Sequence, residues 1–458
     1  MDAIFPMYSI LDLNYKKLIH LLQLQSEKKV SLLSKVGYID KFFDLNCHFA
    51  HCLQHLNMKN LEMNYPNFTM LLLCAVTPWS LAAMQIALVL VILATGYAVF
   101  IEKKRPVFLG KLWMPLVIYG VLLLLSAIVS DAPLMSLKSV FQNEWVLLAV
   151  PVVYVAISLS SNKSGLVHTL LISAVLVAVY GFVQFFMGIE FFRGKHLAQM
   201  GNYFRATGGY SFYLTFAGNQ LMAFALAFGF LLKQPGFDRR RFQYAAMCIV
   251  ILVSIFATFA RSTWLAFGLI SVLAALMIDR KYLLPLGGFA IIAGIFAALL
   301  FPEIRTRFAS IFDPAQNETR FNLWLTSLNM IKAHPIFGIG PGFFRQLFET
   351  YKVPGFYDTI AHAHNDYLNL AANSGIPALL GWIWLWVIWF RQCWTGFSNS
   401  QTELLNRQII AGAMLAIAGI LFAALFQCYY TDLENNIFWW LVAVLGYQAS
   451  VEPASVEQ

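Results

Sequence analysis

Charge is what this chain has least of. Asp, Glu, Lys and Arg make up 12% of its 458 residues, against 59% hydrophobic. A soluble globular domain carries about 25% charged residues, so the composition excludes an ordinary soluble fold. Cysteine is also scarce. The six, at 47, 52, 74, 248, 393 and 428, have no paired spacing, so no disulfide framework is implied. Cys47 and Cys52 lie among His48, His51 and His55. Neither their C-x4-C spacing nor that of the histidines matches a common zinc pattern. No nucleophile elbow, HExxH, carboxylate pair at glycosidase spacing or DxD-like sugar-nucleotide motif is present. Those absences speak against a cytoplasmic transferase working on nucleotide sugars.

What the chain has is apolar runs of roughly 17 to 25 residues, long enough to cross ~30 Å of hydrocarbon as helices. They predict an all-α polytopic membrane protein of about twelve spans. These lie at 68–78 and 80–100 (a hairpin around Thr77-Pro78-Trp79), 111–130, 145–160, 167–187, 211–232, 243–259, 262–278, 282–301, 376–394, 408–430 and 433–449. The net charge of +8 falls mainly in short loops: Glu102-Lys103-Lys104-Arg105, Lys163, Arg239-Arg240-Arg241, Arg280-Lys281, and Arg391 with Arg407. Alternating spans put all of these on one face, which the positive-inside rule makes cytoplasmic. That rule accounts for the basic balance without nucleic acid. Both termini then face the cytoplasm.

Three regions follow. Residues 1–66 form a mixed-charge N-terminal extension without the basic start and apolar core of a signal peptide; they are expected to be cytoplasmic and dispensable. Residues 67–450 form the membrane domain, and 451–458 a cytoplasmic tail. The outer face carries 131–144, 188–210 and a long loop, 302–375, which should hold helices of its own and a function. In that loop Phe321, Trp324, Leu325, Leu328 and Ile331 recur at helical spacing. They suggest an amphipathic helix lying on the membrane surface or against the bundle.

Chemistry concentrates on the outer face. Ala361-His362-Ala363-His364-Asn365-Asp366 closes the long loop just ahead of a span, and ionisable residues at such a boundary point to function. His364 can take a proton from a hydroxyl near neutral pH, with Asp366 or a backbone carbonyl to orient its ring; otherwise it is an interfacial histidine. On a continuing helix His362 would face another way. Arg205, Arg261 and Arg320 map to the same face. Arg261 sits between two spans with almost no polar turn. Guanidinium groups suit bidentate phosphate recognition, although each alone also fits an interfacial anchor. Gly338-Ile339-Gly340-Pro341-Gly342 follows no strand and reads as a tight turn.

Taken in order, these segments resemble the O-antigen ligase and O-antigen polymerase superfamily. The resemblance rests on His364-Asn365 followed after nine residues by Gly375, on Arg261-Ser262-Thr263-Trp264-Leu265-Ala266, and on Thr319-Arg320 with Trp324. The 338–342 glycine run and Arg205-Ala206-Thr207-Gly208 add to it. It spans about 65–450 and is most like the ligase, whose pattern it leaves at Pro377 and Ala378. It implies a metal-independent inner-membrane glycosyltransferase without a cofactor. The donor would be a glycan on undecaprenyl diphosphate, and the acceptor the lipid A–core oligosaccharide. His364, Arg261 and Arg320 would be catalytic. Arg205, His362, Asn365 and Asp366 would bind substrate. A polymerase or a protein O-oligosaccharyltransferase is the alternative within the superfamily. A transporter is the alternative outside it, but would hold its charges near the midplane.

The topology is directly testable. Reporter fusions after Asp313 and after Arg240 should report opposite sides of the membrane; the same side for both removes the face on which the candidate residues were assembled.

Overall fold

The computed structural model describes residues 64–236, 238–278 and 283–451. The N-terminal extension with its Cys47/Cys52 cluster, the Arg280-Lys281 pair and residues 452–458 lie outside them. The described chain is helical, with two small antiparallel hairpins. Its longer helices are α1 Tyr65–Val76, α2 Leu81–Phe100, α3 Trp113–Val129, α4 Pro133–Asn143, α5 Val146–Leu159, α6 Lys163–Met187, α7 Tyr213–Lys233, α8 Arg239–Ala257, α9 Arg261–Ile278 and α10 Leu283–Leu300. Then come α11 Pro302–Ala309, α12 Glu318–Ala333, the short α13 Phe348–Tyr351, α14 Asp366–Ser398, α15 Leu404–Ala423 and α16 Leu433–Val451. Between α6 and α7, β1 (Ile189–Glu190) pairs with β2 (Lys195–His196), and β3 (Gln199–Met200) with β4 (Tyr203–Phe204).

Among the described residues, eight helical segments are long and apolar enough to cross a membrane. Three shorter apolar helices accompany them, and α16 lies over the last expected span. The chain is therefore an all-α polytopic membrane protein. Large apolar side chains face outward along α2, α3, α6 and α10, as with Leu93, Ile128, Leu176 and Leu299. A surface of this kind requires lipid. At the centre, α7 is buried from Leu214 through Phe230. A Cβ on Gly229 would stand 2.3 Å from the Gly412 amide nitrogen. This pair of small residues lets α7 and α15 approach backbone to backbone.

Two local readings change and one is narrowed. The expected span 408–430 stops at Ala423, because the amides of Tyr429, Tyr430 and Thr431 turn to the Asp366 carboxylate instead of to helical carbonyls. The α12 stripe does not face the bundle, which leaves the membrane surface of its two alternatives. The helix packs through Thr319, Leu323, Thr326, Ser327 and Met330, while Phe321, Leu325 and Leu328 are exposed. Thr326 and Ser327 can be buried because their hydroxyls donate to the carbonyls of Asn322 (2.8 Å) and Leu323 (2.7 Å) on their own helix. Finally, His362 and His364 lie on no helix, since α14 begins only at Asp366.

The glycine run is more than a turn. Helix α14 breaks at Gly375 (φ 87°, ψ 165°), and there the Ile376 amide donates to Pro335 O (2.9 Å). The run 338–342 straps the break: Ile339 N donates to Ala372 O (2.9 Å) and Gly340 N to Asn373 O (3.0 Å). Pro377 then stands in the first turn of the restarted helix, where its missing N–H costs nothing. The Gly375 backbone is open essentially to glycine alone, and a Cβ there would lie 2.0 Å from Ile336 O. Gly375→Ala should therefore lose at least about 1–3 kcal/mol, read as a lower melting temperature and poor recovery in size-exclusion chromatography. Unchanged melting would show that the strap tolerates a continuous helix.

Candidate functional site

Phe259 ends the turn after α8 with a left-handed backbone, φ 56°. This sharp reversal makes Arg261 the first residue of α9. Its Nη1 donates to Ser310 O (2.6 Å) and Oγ (3.2 Å), and its Nη2 to Gln316 O (3.4 Å). Arg307, on α11, donates from Nε back to Phe259 O (3.4 Å). The loop segment 302–317 is thus fastened to the α8–α9 turn by two guanidinium groups.

Arg205 arrives from the second hairpin. Its amide donates to Ala198 O (2.9 Å), and the next amide, of Ala206, to Ala257 O (3.1 Å) at the end of α8. The guanidinium carbon lies 4.2 Å from the centroid of the Tyr213 ring, a cation–π contact. Arg320 sits in the first turn of α12 and, among the described residues, makes no hydrogen bond or ion pair of its own. None of these four arginines has a carboxylate within ion-pair distance among the described residues. Arg205 and Arg261 also bury Nε–H groups that have no partner.

The four charges act on one another. Burial first, and then the charge of Arg205, lowers Arg307 from the ordinary guanidinium range to about 10, with Tyr213 opposing. Burial also lowers Arg320, against the pull of Tyr213, Tyr429 and Asp358. Both remain cations at neutral pH. The result is a half-buried patch of concentrated positive charge with spare N–H donors, which suits a multiply charged anion.

The histidines come from the other direction. His364 has φ 49°, rare for a residue with a side chain. Its amide donates to His362 Nδ1 (3.2 Å), and the two rings stand 4.4 Å apart. His364 Nδ1 bonds to Gln427 Oε1. An amide oxygen only accepts, so the His364 proton sits on Nδ1 and Nε2 keeps a free lone pair. His362 is the opposite tautomer, since its Nδ1 accepts and its proton lies on Nε2. Burial, then the neighbouring His364, pushes His362 down to about 3. His364 is lowered chiefly by burial; the Gln427 bond opposes this, the Arg320 charge adds to it and Asp358 opposes it. Both rings are therefore neutral near pH 7, and His364 has the form a general base requires.

Asn365 and Asp366 hold the turn from behind. The Asn365 side chain caps α14 by accepting from Leu368 N (3.0 Å), and its Nδ2 donates to Leu425 O (3.0 Å). The Asp366 carboxylate accepts from the amides of Tyr429 (2.7 Å), Tyr430 (2.8 Å) and Thr431 (3.4 Å). The tethered loop carries Gln427 to His364, and the Tyr429 hydroxyl to Ser262 Oγ (2.8 Å), next to Arg261.

The structure brings all seven expected residues to one end of the bundle, with His364 and the arginines foremost and Asn365 and Asp366 turned inward. Sequence reasoning missed Arg307, Gln427, Tyr213, Tyr429 and Asp358. Arg307 was legible, because buried Ile304 three residues earlier shares its helix face. Gln427 was hidden inside an apolar run.

Three spaces surround the site. A groove of about 710 Å³ runs past Gly201, Glu303, Arg307 and Gln316. An apolar cleft of about 350 Å³ opens between α6, α8 and α10, lined by Phe182, Phe256, Phe296 and Leu300. Phe301 and Ile304 line the cleft while Pro302 and Glu303 line the groove. A cavity of about 200 Å³ with a mixed polar and apolar lining lies at His362.

The inward residues make a stability prediction. Asp366→Ala leaves the two buried amides of Tyr429 and Tyr430 without their acceptor, at about 1–3 kcal/mol each, besides the half-buried one of Thr431, and Asp366→Asn retains one acceptor oxygen. Melting temperatures should fall in the order wild type, Asn, Ala. An Asp366→Ala protein that melts like wild type would release this carboxylate from its holding role.

No curated protein matches the chain. One family model does, over residues 246–383, a stretch that contains Arg261, Arg307, Arg320, both histidines and Gly375 and leaves Arg205 and Gln427 outside. Its description is O-antigen ligase, and over that stretch the chain is similar to the family, which supports the O-antigen ligase superfamily.

Proposed function

We propose that this protein is an O-antigen ligase of the bacterial inner membrane, moving a glycan from undecaprenyl diphosphate to lipid A–core. The observation that carries this reading is the juxtaposition of four arginines lacking carboxylate partners with a neutral His364 whose Nε2 lone pair is free. In this reading all twelve apolar segments cross the bilayer and the site opens to the periplasm.

The donor diphosphate lies along the groove at Arg307, bound by Arg205, Arg261 and Arg320 as well. Its isoprenoid tail enters the apolar cleft that begins at Phe301. The acceptor hydroxyl gives its proton to His364 Nε2, and its oxygen attacks the anomeric carbon. The bond from that carbon to the diphosphate oxygen breaks, and its electron pair leaves with the diphosphate. Charge gathers on the leaving group in the transition state, where preorganised donors act most strongly. The arginines supply that positive charge, so no metal step enters the proposal. Direct displacement inverts the anomeric centre. Asp366 and Gln427 position the base. Charge gathered at one end of the bundle, not at mid-depth, favours a transferase over a transporter.

His364→Ala should lower transfer by about 10²–10⁴-fold at unchanged protein level. Normal transfer by that variant, with loss in His362→Ala, would mean that the other histidine is the base. Arg261→Lys and Arg320→Lys should each lose most activity, because a lysine lacks the planar fork. Gel analysis of lipopolysaccharide from a deletion strain carrying each variant reads the outcome. A ligase defect leaves bare core while long chains persist on the carrier lipid; core bearing a single repeat would identify a polymerase instead. The pH profile supplies the sign. The base must be neutral and its pKa is lowered below the ordinary ~6.5 of histidine, so the rate should be flat through neutral pH. It should fall only on acidification below ~6.5; an acid limb above that value contradicts a buried base.

A further inference from the structure

The four arginines leave the cavity at His362 unused. Its walls come from α4 and the residue after it, Glu144, and from the first turns of α14. Ser139, Asn143, Glu144, His362, Asn369 and Asn373 supply the polar lining. One acceptor atom there, Asn373 Oδ1, is buried with no partner, while the Glu144 carboxyl is engaged by the Tyr430 hydroxyl. Asn373 spends its Nδ2 on Asn369, at 2.8 Å to the backbone O and 3.2 Å to Oδ1, which leaves its own oxygen free. Buried polar atoms without partners are rare and call for a reason. His362, neutral with its proton on Nε2, adds a donor.

This is the donor and acceptor set for hydroxyl groups, each of which gives one hydrogen bond and accepts others. The cation in the described lining, Arg345, is exposed at the rim. The volume has room for one sugar ring. His362 links this space to the base, since its ring stands 4.4 Å from that of His364. The arginines approach His364 through Arg320.

We infer that this cavity is the acceptor subsite, binding the sugar ring whose hydroxyl attacks, with Asn373 as a hydroxyl acceptor that selects it. The inference rests on the transferase reading above, and two measurements separate the fates of the two.

The first needs no turnover. Full-length protein in lipid nanodiscs is titrated calorimetrically with deacylated lipid A–core oligosaccharide. Wild-type binding should be abolished by Ser139→Trp, which fills the cavity from its rim, and weakened about tenfold by Asn373→Ala, the effect of one lost hydrogen bond. Absence of wild-type binding, or binding undiminished in Ser139→Trp, overturns the subsite. Ser139→Trp also decides the matter if Asn373→Ala fails to fold.

The second is transfer kinetics with lipid A–core and lipid-linked glycan. Asn373→Ala should raise the acceptor KM about tenfold and leave the donor KM unchanged. A raised donor KM instead would assign the cavity to the donor while the transferase reading stands. Oligosaccharide binding without any transfer by wild type would fail the transferase reading and leave the cavity a saccharide site.

Discussion

Three backbone amides converging on one buried carboxylate hold this site together. Asp366, at the start of α14, accepts from Tyr429, Tyr430 and Thr431, and so ends α15 early and folds the following loop back over the bundle. The contacts that hold His364 hang from that joint. Gln427 reaches His364 because the loop is turned. Tyr429 reaches Ser262, beside Arg261, for the same reason. A carboxylate used by backbone amides is rigid and directional, so it transmits position and not charge to the chemistry. Asn365 repeats the fastening one residue earlier, on Leu425 O.

The positive patch is held by the opposite means. Arg261 and Arg307 are fixed by backbone carbonyls and by each other's turn, Arg205 by an aromatic face. Carbonyls orient a guanidinium without neutralising it, whereas a carboxylate would cancel its charge. Like charges held together disfavour one another, and buried N–H donors without partners disfavour the empty site. Left-handed backbone at Phe259 and His364 adds local strain. Such strain persists where surrounding contacts over-determine it, and both residues sit where the chain reverses to deliver a functional side chain.

Much of the fold was legible in the residues, because lipid imposes long apolar runs and each expected run falls on a helix. The order of Arg205, Arg261, Arg320 and His364 was legible too, since costly charges stand out in an apolar chain. The remainder depended on tertiary partners. Nothing local marks Ala423 as a helix end; its cause lies in Asp366, far away in sequence. The α12 stripe did not tell the membrane surface from the bundle, because Thr326 and Ser327 satisfy their hydroxyls within the helix and can face inward, leaving Phe321 and Leu325 outside. Gly375-Ile376-Pro377 announced a break, but not that the 338–342 strap would bond to it. The two hairpins before α7 left no alternating pattern, being only two residues per strand.

The central claim is that arginines and a neutral histidine displace a lipid diphosphate without a metal or a gradient. Its most direct test is transfer by purified protein in leak-free symmetric vesicles containing lipid-linked glycan and lipid A–core, with excess EDTA. Glycan should appear on the core with release of one undecaprenyl diphosphate per transfer. Activity that vanishes in EDTA and returns with Mg²⁺, or that appears only when an ion gradient is imposed, would contradict the account.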